Sequence, residues 1–275
     1  MPWHFGAMAQ VKLPTGETVP ALGIGTWRMG ERARPRDQEV AALRYALDLG
    51  IRVIDTAEMY GSGGAEEIVG EAMEGRRDDI FVVTKLYPYN ATSRGTVEAC
   101  ERSLKRLNTD RIDLYLVHWR GDVPLTESVD AFEQLKAAGK IRHWGVSNYH
   151  AHDMEELLGL DAGEACAANQ VLYHLAQRRI EPELLPLCQA RSIPIMAYTP
   201  LGDGRVLNRS PVPQIAAKHG TGPAAIALAW LLRNEGVMVI PKAAQAAHIE
   251  EIARAPEIRL DEEDLGALEA AFALP

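Results

Sequence analysis

Short apolar runs alternate with longer amphipathic segments along almost the whole chain. The runs contain few polar positions, a composition typical of parallel strands that are covered on both faces. We therefore predict eight strands, at Ala21–Thr26, Arg52–Asp55, Ile80–Lys85, Ile112–His118, His143–Ser147, Cys166–Val171, Pro194–Tyr198 and Val237–Pro241.

The segments between these strands have the periodicity of helices. From Val97 to Leu107, apolar side chains recur at spacings of three and four, as they do on one face of a helix. Residues Ala225–Leu232 are apolar nearly all round, which predicts a buried helix. Eight strand–helix units predict an α/β fold, a (β/α)8 TIM barrel. A doubly wound open sheet is the alternative, but such a sheet usually has fewer strands and a glycine-rich phosphate-binding turn after the first.

Two further elements flank the predicted barrel. The segment Val11–Pro20 has a turn at Thr15-Gly16 and predicts an N-terminal β-hairpin that caps the amino end of the barrel. Asp261–Ala271 predicts an extra helix at the carboxyl end. Because the 275 residues contain no internal repeat or linker, we expect one domain over residues 1–275.

Composition excludes several classes of function. The net charge of -9 and the absence of a basic run argue against a nucleic-acid partner. No uncharged apolar run approaches the length of a membrane span, and Met1–Gly6 lacks the pattern of a secretory signal. Cys100, Cys166 and Cys188 have neither disulfide nor zinc-ligand spacing, which predicts buried thiols and no metal site. We expect a cytoplasmic monomer.

Four residues that could transfer a proton follow neighbouring strands. Asp55, Lys85 and His118 each end an apolar run, and Tyr60 lies five residues beyond the first of them. Taken singly, each has a structural explanation, such as helix capping, packing or a place in solvent. In a barrel, however, all four would meet at the rim formed by the carboxyl ends of the strands, where barrel enzymes have their active sites.

These four residue types suit proton donation to a carbonyl group. A free tyrosine titrates near pH 10, and a neighbouring ammonium lowers that pKa by stabilising the phenolate. A carboxylate beside the lysine keeps the ammonium charged. A histidine at the same rim can donate a hydrogen bond to a carbonyl oxygen and orient it. The set could reduce a carbonyl or, run backwards, oxidise an alcohol.

Seven motifs in order along the chain carry a resemblance to a known family, which extends from about Val11 to the last helix. They are Asp55-Thr-Ala-Glu-Met-Tyr60-Gly61, Thr84-Lys85, Val117-His118-Trp119, Gly145-Val-Ser147-Asn148, Asn169-Gln170, Ala197-Tyr198-Thr-Pro-Leu201-Gly202 and Ile240-Pro241-Lys242. In these motifs the chain resembles the aldo-keto reductases over nearly its whole length.

The resemblance implies a nicotinamide-dependent carbonyl reductase, with Tyr60 as general acid, Lys85 and Asp55 as its tuning pair and His118 as the orienting donor. It also implies a set of positions that bind NADPH. Ser147, Asn148 and Gln170 would hold the nicotinamide carboxamide, Tyr198 would stack on the ring, and Thr199, Pro200, Leu201 and Gly202 would follow the pyrophosphate. The remaining implied contacts are Gly25, Thr26, Trp27, Asp55, Ile240 and Glu251, the last at the adenine.

The residues near Lys242 bear on the choice between NADPH and NADH. The resemblance places Lys242 at the ribose 2′-phosphate, with a hydroxyl residue next to it and an arginine six positions further on. This chain has Ala243 and His248 there. Because a neutral histidine binds phosphate less well than an arginine, we expect NADPH to be used with a weaker preference over NADH.

The expected substrate pocket is open and aromatic. Trp27, Tyr87 and Trp119 each follow the end of a predicted strand, beside one of the four proton-transfer residues. Aromatic walls suit small carbonyl compounds. The segment Asp203–Pro211 is short, and the chain ends at Pro275 soon after the last predicted helix. The chain is most similar to a bacterial branch that includes methylglyoxal reductases, so aldehydes and small ketones such as methylglyoxal are the expected substrates.

Two alternatives to a reductase remain. One is a cofactor-binding accessory subunit with little turnover, as in the channel-associated branch of the family. The other is an alcohol dehydrogenase that works mainly in the oxidative direction, which the same four residues permit.

Overall fold

A closed barrel of parallel strands forms the centre of the molecule. The computed structural model describes residues 9–31 and 35–273. Met1–Gly6, on which the prediction about a secretory signal rests, and Pro275 lie outside the described residues. The barrel strands are β3 (Gly23–Gly25), β4 (Val53–Asp55), β5 (Phe81–Leu86), β6 (Ile112–Val117), β7 (Ile141–Ser147), β8 (Cys166–Leu172), β9 (Ile195–Tyr198) and β10 (Val237–Val239).

The strands pair in sequence order and all in parallel. Closure joins the first strand to the last: Gly25 N donates to Pro241 O at 2.9 Å, and Val239 N donates to Ala21 O at 2.8 Å. Each of the eight predicted strands is confirmed, with ends that shift by at most two residues. Closure excludes the doubly wound open sheet, because that sheet leaves two free edges.

Helices surround the barrel and cover the outer faces of its strands. They are α1 (Arg36–Asp48), α2 (Gly64–Ala72), α3 (Ser93–Leu107), α4 (Leu125–Ala137), α5 (Ala151–Leu158), α6 (Leu184–Ala190), α7 (Val212–Lys218), α8 (Pro223–Leu232), α9 (Ala246–Ala253) and α10 (Glu262–Ala271). Ala224 to Leu231 are all buried in α8, as their apolar content predicts. The predicted extra helix is α10, and Asp261 caps it by accepting a hydrogen bond from Asp264 N at 2.9 Å.

The predicted N-terminal hairpin consists of the antiparallel strands β1 (Gln10–Lys12) and β2 (Thr18–Pro20). Its buried Val11 and Val19 pack in one cluster with side chains of the barrel interior. Glu17, in the turn region, accepts hydrogen bonds from Arg142 at 2.7 Å and from His143 at 2.9 Å, both near the start of β7. The hairpin therefore closes the amino end of the barrel. A cavity for substrate can then open only at the carboxyl end.

The three cysteines are buried, as the composition predicts. Cys100, Cys166 and Cys188 are free and buried, and burial raises the pKa of each thiol to about 12. Such thiols are inert at neutral pH. Within residues 9–31 and 35–273, no helix is long and apolar enough to cross a membrane, and no group of histidine, cysteine or acidic side chains is arranged to hold a metal ion.

Strand β7 carries a glycine where no larger residue fits. A Cβ atom on Gly145 would lie 2.4 Å from the carbonyl oxygen of Ala168 and 3.0 Å from Leu116 Cδ2. The pairing of β7 with β8 also shifts register between Trp144 and Val146. Gly145 thus allows β7 and β8 to approach closely next to Ser147, the polar residue that ends β7 at the rim.

We expect Gly145→Ala to lower the free energy of unfolding by about 1–3 kcal/mol, because the methyl group overpacks a site bounded by backbone. Gly266→Ala is the matched control: Gly266 lies in α10 with nothing within 4 Å of the new atom. That change should raise the free energy of unfolding by about 0.5–1 kcal/mol, since alanine favours a helix. Urea unfolding measures both; equal effects of the two substitutions would contradict this account of Gly145.

Candidate active site

The four residues singled out in the sequence meet at the carboxyl end of the barrel. Lys85 Nζ lies 2.8 Å from both carboxylate oxygens of Asp55 and 3.4 Å from the hydroxyl of Tyr60. It also donates to the carbonyl oxygen of Thr56 at 2.7 Å. The ring of His118 lies 5.8 Å from that of Tyr60 between centroids. The predicted juxtaposition of these four side chains is therefore observed.

Asp55 keeps the buried lysine charged. Lys85 is fully buried, and burial alone would lower its pKa, because the charged form loses its water. The Asp55 carboxylate and the Tyr60 hydroxyl outweigh burial, and the net pKa of Lys85 is raised. The ammonium is thus a permanent positive charge beneath Tyr60.

The acidity of Tyr60 differs in part from the expectation. Burial raises the pKa of Tyr60, and the Lys85 ammonium lowers it as expected but by less, while Asp55 adds to the rise. The net pKa of Tyr60 is therefore raised. The sequence could not weigh these opposing effects, because burial of the phenol depends on residues brought together from the whole rim.

His118 is held as a neutral imidazole. Burial, and then the positive charge of Lys85, lower its pKa to about 3. Its Nδ1 is buried and has no hydrogen-bond partner in the part of the chain that the structure describes. A neutral ring beside Tyr60 can donate a hydrogen bond to a substrate oxygen without carrying a charge of its own.

Glycines fix the turn that carries Tyr60. Gly61 and Gly63 have φ values of 56° and 95°, in the left-handed region that glycine favours. A Cβ atom on Gly61 would lie 2.8 Å from the backbone of Gly30, and one on Gly30 would lie 2.4 Å from the backbone of Gly64. The turn after β4 and the turn after β3 therefore touch backbone to backbone, which leaves Tyr60 little freedom to move away from Lys85.

Amide and hydroxyl side chains surround the same point from β7, β8 and β9. Ser147 Oγ donates to Gln170 O at 2.9 Å, and Asn148 Nδ2 donates to His118 O at 3.0 Å. Tyr198 donates its hydroxyl to Asn148 Oδ1 at 2.8 Å. Gln170 Nε2 donates to Asp55 Oδ1 at 2.7 Å, which links this polar group directly to the ion pair.

A cavity of about 620 Å³ opens above these residues. Its lining includes most of the predicted site positions, namely Gly25, Trp27, Asp55, Tyr60, His118, Trp119, Ser147, Asn148, Gln170, Tyr198, Thr199, Pro200, Leu201, Ile240 and Lys242. Its lining also includes residues to which the sequence assigned no individual role, namely Arg28, Met59, Asp203, Gly204 and Pro241. Arg28 and Pro241 directly adjoin predicted positions, a proximity that could have indicated them.

Backbone strain is concentrated around this cavity. Four of its non-glycine lining residues have positive φ, at 64° for Arg28, 58° for Asn148, 49° for Thr199 and 53° for Asp203. Non-glycine residues adopt this conformation at a cost, and such residues cluster at functional sites. The clustering supports the assignment of the cavity as the site.

Other predicted positions lie outside the cavity lining. Thr26 is buried and donates to Asp55 O at 3.0 Å, while Lys85 lies beneath the cavity floor. Gly202 is buried in the turn after β9. His248 is exposed at the start of α9, and Glu251 Oε1 accepts a hydrogen bond from Ala224 N, at the start of α8, at 2.7 Å.

We expect His118 to remain neutral from about pH 8 to about pH 5, a range in which a free histidine would gain a proton near pH 6.5. Histidine NMR signals, assigned by comparison with His118→Gln, measure this. Because its folded pKa lies below the unfolded one, His118 lowers stability as the pH falls below about 6.5. His118→Gln should therefore lose less stability on acidification than the wild type. A midpoint near 6.5 for His118 would contradict the assigned environment.

The chain is similar to known proteins over most of its length. Residues 21–273 match the model of the aldo/keto reductase family. Methylglyoxal reductase YeaE of Escherichia coli K12 is 50% identical over 263 residues, which are 94% of this chain and 93% of that protein. Glyoxal reductase of Bacillus subtilis is 35% identical over 94% of this chain and 91% of its own length.

Solved structures show the same similarity. A crystal structure of an aldo/keto reductase from Klebsiella pneumoniae, in complex with NADP and acetate, superposes with a TM-score of 0.94. It is 50% identical in sequence, and the match covers 98% of this chain and 97% of that one. A Klebsiella pneumoniae structure in complex with NADPH gives a TM-score of 0.95 at 49% identity. The chain belongs to the aldo/keto reductase family.

Proposed function

We propose that this protein uses NADPH to reduce aldehydes and small ketones, methylglyoxal among them, to alcohols. One observation carries the proposal: the Tyr60 hydroxyl lies 3.4 Å from the buried Lys85 ammonium, at the base of a cavity that amide and hydroxyl side chains also line. A protonated phenol beside a fixed positive charge suits proton donation to a carbonyl oxygen.

The residues of the cavity fit a nicotinamide dinucleotide. Gln170 and Asn148 present amide groups near the proton donor, which suit a carboxamide, and Tyr198 offers an aromatic ring next to them. Arg28 and Lys242 bring positive side chains to the same cavity, which suit phosphates. The similar Klebsiella pneumoniae proteins were solved with NADP or NADPH bound. When bound, NADPH would supply the hydride.

In the proposed mechanism, each of the four residues has its own role in the transfer of one proton. Neutral His118 donates a hydrogen bond to the substrate carbonyl oxygen and orients it. Tyr60, whose raised pKa keeps it protonated at neutral pH, donates its proton to that oxygen. The Lys85 ammonium then stabilises the phenolate, and Asp55 holds Lys85 in place. The same groups in reverse would take a proton from an alcohol.

The mouth of the cavity supports small substrates. Trp27 and Trp119 line it and remain 46% and 40% exposed, so the entrance is aromatic and open. The relatives named as methylglyoxal reductase and glyoxal reductase support small 2-oxoaldehydes as the substrate class.

We also propose that the protein is a cytoplasmic monomer without a nucleic-acid partner. The net charge of -9 supports the absence of a nucleic-acid partner.

We expect Tyr60→Phe to lower kcat by about 10²–10⁴-fold and to leave NADPH binding intact, because the ring still packs but has no proton to give. Steady-state turnover of methylglyoxal, benzaldehyde and a 2-ketone with each cofactor gives the wild-type baseline, and fluorescence titration gives NADPH affinity. Tyr45→Phe, on α1, is the control. Near-normal turnover by Tyr60→Phe would refute the role of Tyr60. No oxidation of NADPH by the wild type with any substrate would favour the accessory-subunit alternative.

Cofactor preference is proposed to depend on the residues near Lys242. Lys242 lies at the surface and lines the cavity, and the neighbouring Ala243 is buried and offers no hydroxyl group. His248 follows at the start of α9, where its side chain is exposed. An imidazole gives a 2′-phosphate less attraction than the permanently charged, planar guanidinium of an arginine would. We therefore propose a weak preference for NADPH over NADH.

We expect His248→Arg to tighten NADPH binding by about threefold to tenfold and to change NADH binding by less than about twofold, because only NADPH carries the 2′-phosphate. Fluorescence titration at constant ionic strength measures both affinities. His152→Arg, which adds the same charge on the exposed face of α5, is the matched control. Equal tightening of both cofactors would show that residue 248 does not face the phosphate.

A further inference from the structure

A row of aromatic rings leads from the catalytic histidine out to the surface. The ring of His118 lies 5.1 Å from that of Trp119, which meets Tyr87 edge to face at 6.3 Å. Tyr87 in turn stacks on Tyr89 at 4.8 Å, with only 18° between the ring planes. Trp119 lines the cavity, whereas the two tyrosines lie beyond its lining.

The outer end of this row is unusually exposed for an aromatic side chain. Tyr89 is 69% exposed, the largest value among the exposed large hydrophobic residues of the described chain. The stacked arrangement leaves the outer face of its ring to solvent. We use the name aromatic step for Tyr87 and Tyr89 together.

Buried contacts hold the aromatic step in place. Glu58, which is buried two residues before Tyr60, accepts hydrogen bonds from Tyr87 N at 2.8 Å and from Asn90 Nδ2 at 2.9 Å. These contacts flank Tyr89 on both sides along the chain. A buried carboxylate that is bonded twice to one short turn fixes that turn more firmly than packing of exposed rings would.

The neighbouring loop supports the step from the other side. Gly121, in the loop after β6, approaches Pro88 so closely that a Cβ atom on it would lie 2.8 Å from Pro88 Cβ. The turn Pro88–Asn90 is thus held between the loop that carries Tyr60 and the loop that carries Trp119. The step is therefore a built extension of the site and not the tip of a loose loop.

We propose that the aromatic step is a binding subsite for the distal aromatic ring of extended carbonyl substrates. The proposal rests on the proposed function. Tyr60, His118 and the tryptophans Trp27 and Trp119 line one cavity, and Trp119 contacts the aromatic step through Tyr87. In a substrate whose carbonyl group lies at Tyr60 and His118, a second aromatic ring in line with the first would extend past Trp119 towards this step. There it meets Tyr87 and Tyr89, whose faces and edges suit a planar aromatic group.

A series of aldehydes of increasing length tests the subsite. The substrates are methylglyoxal, benzaldehyde and biphenyl-4-carbaldehyde, each assayed with saturating NADPH. For Tyr89→Ala we expect kcat/KM for biphenyl-4-carbaldehyde to fall about threefold to tenfold, mainly through KM, because one ring–ring contact is lost. Methylglyoxal and benzaldehyde have no second ring to contact Tyr89, and their kcat/KM should stay within about twofold. Tyr89→Phe keeps the ring and should retain wild-type values with all three.

Controls separate the subsite from general effects. Tyr45→Ala removes a tyrosine from the outer helix α1. It should not change kcat/KM for any one of the three substrates more than for the others. Glu58→Ala should raise KM for the biphenyl aldehyde more than Glu58→Gln does, since glutamine keeps an oxygen that can accept from Tyr87 N. If Glu58→Ala does not fold, the Tyr89 variants decide the question.

The outcomes distinguish failure of this proposal from failure of the proposed function. If the wild type reduces none of the three aldehydes, the proposed reductase function fails. If it reduces all three and Tyr89→Ala affects them equally or not at all, the proposed function stands and the aromatic step serves only to pack the loop. A selective loss with biphenyl-4-carbaldehyde, restored by Tyr89→Phe, supports the subsite.

Discussion

The ion pair between Lys85 and Asp55 is the interaction on which the rest of the site depends. An ammonium that is fully buried loses its hydration, and leaving it without a partner would cost about 3–5 kcal/mol. Here both oxygens of Asp55 and the carbonyl of Thr56 surround it. Because β4 and β5 are adjacent parallel strands, their carboxyl ends bring these groups together without any distortion of the barrel.

That fixed charge shifts the pKa values of the neighbouring Tyr60 and His118. It partly offsets the effect of burial on Tyr60, and it adds to burial in lowering the pKa of His118. Burial keeps Tyr60 a protonated phenol against the effect of that charge, whereas burial and the charge together keep His118 a neutral imidazole. The hydrogen bond from Gln170 to Asp55 extends the same network to β8, so the proton donor and the amide groups form one electrostatic unit.

The two ends of the barrel carry out different tasks. At the amino end, the hairpin buries Val11 and Val19 and ties Glu17 to Arg142, which closes the barrel with apolar packing and ion pairs. At the carboxyl end, polar side chains and residues with positive φ remain open to a cavity. Stability and chemistry are thus separated along the barrel axis, an arrangement common to enzymes of this architecture.

The sequence determined the barrel and the identity of the proton-transfer residues. The apolar runs are long enough for buried strands and specify eight of them. A polar residue at the carboxyl end of such a run must lie at the rim of the barrel, so periodicity alone placed Asp55, Lys85 and His118 there. Tyr60, five residues beyond Asp55, could be placed at the same rim, but the close contact that fixes its turn is seen only in the structure.

Only the tertiary structure decided how these groups act on one another. Burial of Tyr60 and the contact of Gln170 with Asp55 arise between residues far apart in the chain, and no local pattern encodes their distances. The aromatic step is a similar case. The sequence predicted Tyr87 at the pocket but gave Tyr89 no role, and only the structure shows that Glu58 and Gly121, from two other loops, fix their turn beside Trp119. Sequence patterns specify which face a side chain takes, whereas distances and desolvation depend on the packing of the whole chain.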